Sequence, residues 1–165
     1  MPDNTIKIFH LEMRDQSDFT PKEGSADFTT TLVKPADSKL NQQLYREVGA
    51  KWQWTDRLPW SDQEWRDYVA RDNLTTWLAH WKGERAGYFE LEAQHNGNVE
   101  IVYFGLLPNY IGNGLGSMML TAAVKAAWNQ PDTQRVWVHT CSNDHKHAFE
   151  NYRKRGFRLF KTESE

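Results

Sequence analysis

EIVYFGLLPNYIGNGLGSMMLTAAVKAAW, residues 100–128, is the stretch whose reading decides the fold. Its first eight residues, 100–107, are rich in β-branched, aromatic and aliphatic side chains and read as a strand, which Pro108 then breaks. Gly112, Gly114 and Gly116 follow within five residues. After them Leu115, Met118, Met119, Ala122, Ala123, Ala126 and Ala127 recur at helical spacing on one face. Glycines at the mouth of a helix permit positive φ and close approach of another molecule to the backbone. The first N–H groups of a helix have no partner inside it, and the helix dipole adds positive potential there. Strand, glycine turn and helix therefore predict a cradle for an anion, above all a phosphate. Read as a plain hairpin turn, Asn113-Gly114 would leave the helical period that starts at Leu115 unexplained.

Two familiar phosphate motifs do not fit. No Lys-Ser/Thr pair follows the last glycine, so this is not the P-loop of nucleoside triphosphatases. A dinucleotide fingerprint requires a preceding βαβ context, and here the preceding elements read as antiparallel. Residues 75–81 and 86–93 are strand-like and joined by a turn at Gly83, and Asn96-Gly97 is a strong hairpin signal returning the chain into 98–107. Beyond the helix, Pro131 stops the period, 135–140 reads as a buried strand, and strand–helix–strand implies a parallel crossover. A last helix over about 145–155 ends at Gly156, 157–161 closes as a strand, and 161–165 is expected to fray. Upstream, 6–13 and 28–33 read as strands, Asp37 or Ser38 caps a helix to about Val48, and Ser61 with Glu64 forms a capping box for a helix to about Arg71. The fold class is thus α/β (α+β): a mixed sheet of six to seven strands, an antiparallel meander followed by a βαβ crossover, and about four helices on its faces. The 165 residues suit one domain.

Composition narrows the function. A net charge of −2 gives no reason to expect nucleic acid as a partner. No window approaches the ~20 apolar residues of a membrane span, and no basic stretch with an apolar core opens the chain. Together with a single cysteine, Cys141, these features predict a cytoplasmic protein without an internal disulfide. Oligomeric state is not legible, and a homodimer is compatible with it.

A second motif joins the first. The ending Asn151-Tyr152-Arg153-Lys154-Arg155-Gly156-Phe157, set beside Pro108-x-x-x-Gly112-x-Gly114-x-Gly116, resembles the paired motifs of the GCN5-related N-acetyltransferases, and the resemblance covers residues 75 to about 160. It implies acetyl-coenzyme A as co-substrate; the acceptor expected from the aromatic segment over residues 52–60 is a primary amine of a small molecule, and no metal is expected. The resemblance also implies that the fourth and fifth strands of the core sheet splay around the pantetheine arm. Backbone groups of Leu106 and Leu107 would pair with that arm, and the N–H groups of Ile111, Gly112, Asn113, Gly114, Leu115, Gly116 and Ser117 would hold the pyrophosphate. Ile111 departs from the family, which usually carries Arg or Gln there. At the start of the last helix His145 stands where the family often has Asn. Asn143 is close by, and either residue suits the coenzyme.

Amide formation needs a neutral amine, a stabilised carbonyl oxygen and a protonated leaving thiol. Glu100, in a Glu-Ile-Val similar to that of the histone acetyltransferase branch, is the first candidate base; it also reads as a solvated carboxylate at a strand start. Glu90 and Glu92 are alternates on the neighbouring strand. Tyr152 is the candidate general acid, against a packing role for a half-buried helix tyrosine, and a main-chain N–H near Leu106 would meet the oxyanion. Asp144, His145 and His147 do not share a helix face, so a metal site is a poor reading. Cys141 is read as packing, since direct attack by the amine needs no protein nucleophile.

Four of the eight tryptophans (Trp52, Trp54, Trp60 and Trp65) crowd one short segment. Trp52, Trp54, Arg57, Trp60 and Tyr103 are the expected acceptor wall, by aromatic contact and cation–π attraction; the same tryptophans also read as a small satellite core. The alternatives to a small-molecule N-acetyltransferase are an enzyme acting on a protein or peptide amine, an acyl-coenzyme A sensor without chemistry, and a binder of another nucleotide.

Overall fold

A computed structural model describes residues 5–144 and 146–164. Seven strands form one sheet: β1 (Lys7–Met13), β2 (Phe28–Leu32), β3 (Leu74–Trp81), β4 (Glu84–Ala93), β5 (Asn98–Leu106), β6 (Arg135–Cys141) and β7 (Arg158–Ser164). Four helices accompany them: α1 (Ser38–Gly49), α2 (Asp62–Val69), α3 (Leu115–Trp128) and α4 (Ala148–Arg155). The order across the sheet is β2-β3-β4-β5-β6-β1-β7, and among the described residues β5 with β6 is its one parallel pair. Counted from the β2 edge, β5 and β6 are the fourth and fifth strands.

Strand alternation sorts β4 into two faces. Phe89 and Leu91 join the main core with Met119, Leu120, Ala123 and Val124 of α3 and Val136 and Val138 of β6. Tyr88 turns the other way and packs with Leu44 and Val48 of α1. Tyr45 of α1, Trp65 and Val69 of α2, and Leu74 form a third cluster on that side. Local signals set the helix starts. The Asp37 side chain accepts from Leu40 N at 3.2 Å, and the Ser61/Glu64 capping box is complete, with bonds of 3.1 and 3.2 Å.

Several boundaries shift from expectation. α2 ends at Val69, and β5 ends at Leu106. α4 begins at Ala148, while His145 lies outside the described residues. The tail expected to fray is β7 through Ser164, because β1 supplies it with a partner: Lys7 pairs with Ser164 and His10 with Lys161. β1 is itself inserted between β6 and β7, joining the chain's first strand to its last two.

The feature that shapes the site lies in β5. From Phe89↔Phe104 to Leu91↔Ile101, β4 advances two residues while β5 advances three. The extra residue is a bulge, which bends the strand that carries it. The parallel β5/β6 ladder runs from Asn98↔Arg135 to Ile101↔Val138 and stops there, although both strands continue. Beyond it the sheet opens. Gly105, past the bulge, lets α1 lie close: a Cβ there would sit 2.4 Å from Val48 Cγ1.

Candidate active site

The opening between β5 and β6 is a cleft of about 610 Å³, within the usual range for small-molecule sites. One wall is β5 from Ile101 to Leu106 and another is β6 from Val138 to Cys141; the glycine turn, α4 and residues 52–56 contribute further lining.

The glycine turn has the geometry an anion cradle requires. Gly112 has φ 93° and Gly114 φ 78°, and a Cβ on either would meet nothing within 4 Å, so conformation alone demands glycine there. Gly114 is the N-cap of α3 and has no side chain to offer, which leaves the first N–H groups of that helix for a ligand. Ile111, Gly112, Gly114, Gly116 and Ser117 line the cleft. Leu115 is buried beneath the helix at 1% exposure, so only its main chain can serve a ligand. Asn113 is an exposed residue of the turn. The Ile111 N–H is engaged in the turn, donating to Pro108 O at 3.4 Å. Ser117 Oγ donates to Asn151 Oδ1 at 3.1 Å, and Asn151 Nδ2 donates to Gly116 O at 3.2 Å. These bonds lock the start of α3 to α4.

Leu106 lines the cleft and Leu107 does not. The Leu107 N–H donates to Ala86 O at 2.7 Å and its carbonyl accepts from Tyr110 N at 2.9 Å, so both its main-chain groups are engaged within the protein. This corrects the expectation that Leu107 pairs with the pantetheine arm. Strand alternation turns the Leu106 N–H the opposite way, toward the opened edge. Asn143 lines the cleft, and its Nδ2 lies 3.4 Å from Gln53 Oε1, linking the loop after β6 to the tryptophan segment.

Tyr152 lines the cleft from α4 and is 6% exposed, packed against Phe104 and Phe157 with ring centroids 6.2 and 5.9 Å away. Burial, reinforced by the charge of Asp144, pushes its phenol well above the ordinary tyrosine value, so it stays protonated. Asp144 accepts from the Thr140 hydroxyl, and from the Cys141 N–H at 2.9 Å. Burial and Asp144 also push the Cys141 thiol up, which disfavours a nucleophilic thiolate. Among the described residues no group of three or more His, Cys, Asp or Glu is placed to hold a metal ion.

Glu100 lies behind the cleft rather than in it. It is 8% exposed, accepts from Gln94 Nε2 at 3.0 Å, and meets His139 Nδ1 at 3.4 Å. His139, on β6, is the one that lines the cleft. The alternates are placed otherwise. Glu90 is fully buried and held by Arg57 and Asn41, and Glu92 pairs with Arg71 at 2.8 Å.

The tryptophan segment divides in two. Trp52 and Trp54 line the cleft with Tyr103, and the Trp54 and Tyr103 rings lie 4.7 Å apart. Arg57 and Trp60, expected in the same wall, do not line it. Arg57 is 4% exposed; its Nη1 lies 3.1 Å from both oxygens of Glu90, and its guanidinium sits 4.1–5.9 Å from the ring centres of Tyr45, Trp60, Trp65, Tyr68 and Tyr103. Burial works most strongly against its charge, but Glu90 together with Tyr68, Tyr103 and Tyr88 more than offsets this, leaving its pKa above the ordinary value. Trp60 packs on Trp65 and Tyr68. Trp52 and Trp54 thus line the cleft, while Trp60 and Trp65 pack in a satellite core around Arg57.

Sequence reasoning missed His139 and Asn151 as cleft residues, while Gln53 and Asp56, which also line it, belong to the segment expected to wall the acceptor. One signal was available for His139. In α/β sheets ligands collect beyond the carboxyl ends of parallel strands, and His139 is near the end of the strand that follows the crossover.

A mixed sheet opened between its fourth and fifth strands, with a glycine turn and helix N-terminus beside the gap, is the frame of the site. The chain matches the Acetyltransferase (GNAT) family over residues 40–157 and belongs to it. No curated protein matches the chain. Among solved structures it is similar to a GCN5-related N-acetyltransferase from Sphaerobacter thermophilus, with TM-score 0.74 and 14% identity over 96% of this chain and 50% of that one. A GCN5-related N-acetyltransferase from Kribbella flavida gives TM-score 0.69 and 17% identity over 97% of this chain and 58% of that one. The chain therefore spans little more than half the length of these two relatives. An aminoglycoside acetyltransferase from an uncultured soil metagenomic sample, in complex with sisomicin, gives TM-score 0.61 and 15% identity over 77% of this chain and 86% of that one. At these identities the likeness is one of fold. Among the described residues no helix is long and apolar enough to cross a membrane.

Proposed function

We propose that this protein is an acetyl-coenzyme A-dependent N-acetyltransferase that moves an acetyl group to a primary amine of a small molecule by direct attack in a ternary complex. The observation that carries the reading is the end of the β5/β6 ladder at Ile101↔Val138, which opens a cleft lined at once by the glycine turn, the freed edge of β5 and Tyr152. The residues present fit the co-substrate. Gly112 and Gly114, both at positive φ, and the first N–H groups of α3 suit a pyrophosphate. The outward N–H of Leu106 suits the amide arm and the carbonyl oxygen. Asn143, which lines the cleft, suits the coenzyme as well, and His145 lies outside the described residues.

In the reaction the amine lone pair forms the C–N bond, the C–S bond breaks, and the sulfur takes the Tyr152 proton. A charged alkylamine must first lose a proton, and Glu100 supports that loss. Trp52, Trp54 and Tyr103 make the aromatic side of the acceptor space, while Arg57 and Trp60 brace it from behind. The sisomicin-bound neighbour places aminoglycosides beside arylalkylamines and apolar amines in the panel to be tested. Thermal-shift measurement with acetyl-coenzyme A, free coenzyme A and unrelated nucleotides should show stabilisation by the coenzymes alone. Thiol release over the amine panel should then reveal turnover. A shift with another nucleotide and none with acetyl-coenzyme A defeats the reading, and peptide amines far outpacing small ones would replace its acceptor class.

A further inference from the structure

His139 stands where the two parallel strands part. Val138 is the last β6 residue paired with β5, so His139 is the first beyond the ladder, and its side chain is 47% exposed and lines the cleft. Behind it runs a hydrogen-bonded chain of one polarity. The Trp137 indole N–H can only donate, and it donates to Gln94 Oε1 at 2.9 Å. That sets the Gln94 amide, whose Nε2 donates to Glu100 Oε1 at 3.0 Å and to Glu92 Oε1 at 2.9 Å. The other Glu100 oxygen faces His139 Nδ1 at 3.4 Å. A carboxylate can only accept, so Nδ1 of the neutral imidazole carries the hydrogen and Nε2 keeps the lone pair.

We propose that His139 Nε2 takes the proton from the acceptor amine, and that Glu100 is a positioning residue acting through His139. This rests on the acetyltransferase reading and gives Glu100 a different task from contact with the amine. The balance closes. The ammonium group gives one proton to Nε2, the amine forms the C–N bond, and the thiolate leaving from the C–S bond takes the Tyr152 proton. The nitrogen, cationic once the C–N bond has formed, gives its second surplus proton to the Tyr152 phenolate, and the imidazolium releases its proton to solvent, so each transfer frees one proton.

The groups around His139 suit the task. Glu100 on β5 raises its pKa chiefly through the hydrogen bond, against the effect of burial, and Asp144 and Asp56 add to the rise. His10 on β1 and Trp137 face the ring, with centroids 5.8 and 6.2 Å away. The imidazole thus titrates above the ordinary histidine value of about 6.5.

The test uses His139→Gln and Glu100→Gln in the full chain, with kcat measured against pH on an amine the wild type acetylates. His139→Gln should lower kcat about 100-fold, abolish the acid limb of the profile, and leave the KM for acetyl-coenzyme A within about threefold of wild type. Glu100→Gln should keep that limb but move it to lower pH, because the carboxylate that raises the His139 pKa is gone. If His139→Gln keeps its acid limb and Glu100→Gln loses it, Glu100 meets the amine directly and the proposal falls. Nitrogen NMR of the His139 ring provides a readout that needs no acceptor. Neutral His139 protonated on Nδ1, with a pKa that drops in Glu100→Gln, supports the relay, and the Nε2–H tautomer overturns it. Absence of an acetyl-coenzyme A thermal shift would instead strike the functional reading, whatever the NMR shows.

Discussion

Glu90 and Glu100 occupy the same face of neighbouring strands, and each meets a nitrogen base, yet the two pairs have opposite characters. At Glu90 the cation is sealed: Arg57 is 4% exposed, wrapped by five aromatic rings, with Asn41 Nδ2 completing the carboxylate at 2.9 Å. At Glu100 the carboxylate is almost as buried, but its partner His139 is half exposed and lines the cleft. A closed pair can only hold the fold together. A pair open on one side can exchange a proton with whatever enters. The difference lies in the partner's exposure and in the base itself, since guanidinium does not lose its proton in water and imidazole does so near neutrality.

The largest expected effect is on the closed pair. Arg57→Ala should leave Glu90 charged and buried, lowering stability by about 3–5 kcal/mol, read as a drop in denaturation midpoint. Replacing both partners at once, Arg57→Met with Glu90→Leu, should cost much less, because no charge is then stranded. If Arg57→Ala melts like wild type while losing activity, the pair is not structural and the comparison fails. Next comes the chemistry. Tyr152→Phe should lower kcat about 100-fold while keeping the acetyl-coenzyme A thermal shift. Equal losses in both would mean that the tyrosine only packs.

A smaller effect belongs to the cradle. Gly114→Ala puts a side chain at φ 78° in otherwise open space, a conformational cost of about 1–2 kcal/mol. It should appear as a lower melting temperature and a higher KM for acetyl-coenzyme A, with kcat little changed. The smallest effect tests the open pair through folding. Its folded-state pKa is raised, so His139 adds stability below its unfolded value of about 6.5, and this is lost as pH rises through the folded value. Melting temperatures of wild type and His139→Gln should therefore differ at pH near that value and converge in mildly alkaline buffer. A gap that widens with pH would reverse the sign and break the assignment.

What was legible beforehand was local. Ser61 and Glu64, three residues apart, cap α2 as expected, and the glycines at 112 and 114 adopt the positive φ that only glycine takes readily. These signals need no knowledge of distant chain. Arg57 shows the limit. An arginine and an aspartate among tryptophans and tyrosines have one composition whether the rings face a ligand or close on the arginine, and the choice depends on Glu90, 33 residues away. The bulge in β5 was equally hidden, since nothing in Ile101-Val102-Tyr103-Phe104 marks an extra residue until β4 is set beside it. His139 depends on both, because it faces a cleft only where the bulged strand has left its neighbour.

The insertion of β1 between β6 and β7 has a mechanical consequence. Lys7 and Ser164 are ladder partners, so the two ends of this sheet region lie side by side at one end of an antiparallel pair. Tension applied across them loads the β1/β7 hydrogen bonds one after another, as a zipper, rather than all together in shear. The first tooth is the Lys7–Ser164 pair and the next lies at Ile8, which pairs with Glu163 on one side and with Cys141 on the other and itself lines the cleft. A load carried by either end of this region would deform the floor of the cleft before it reached the packed interior.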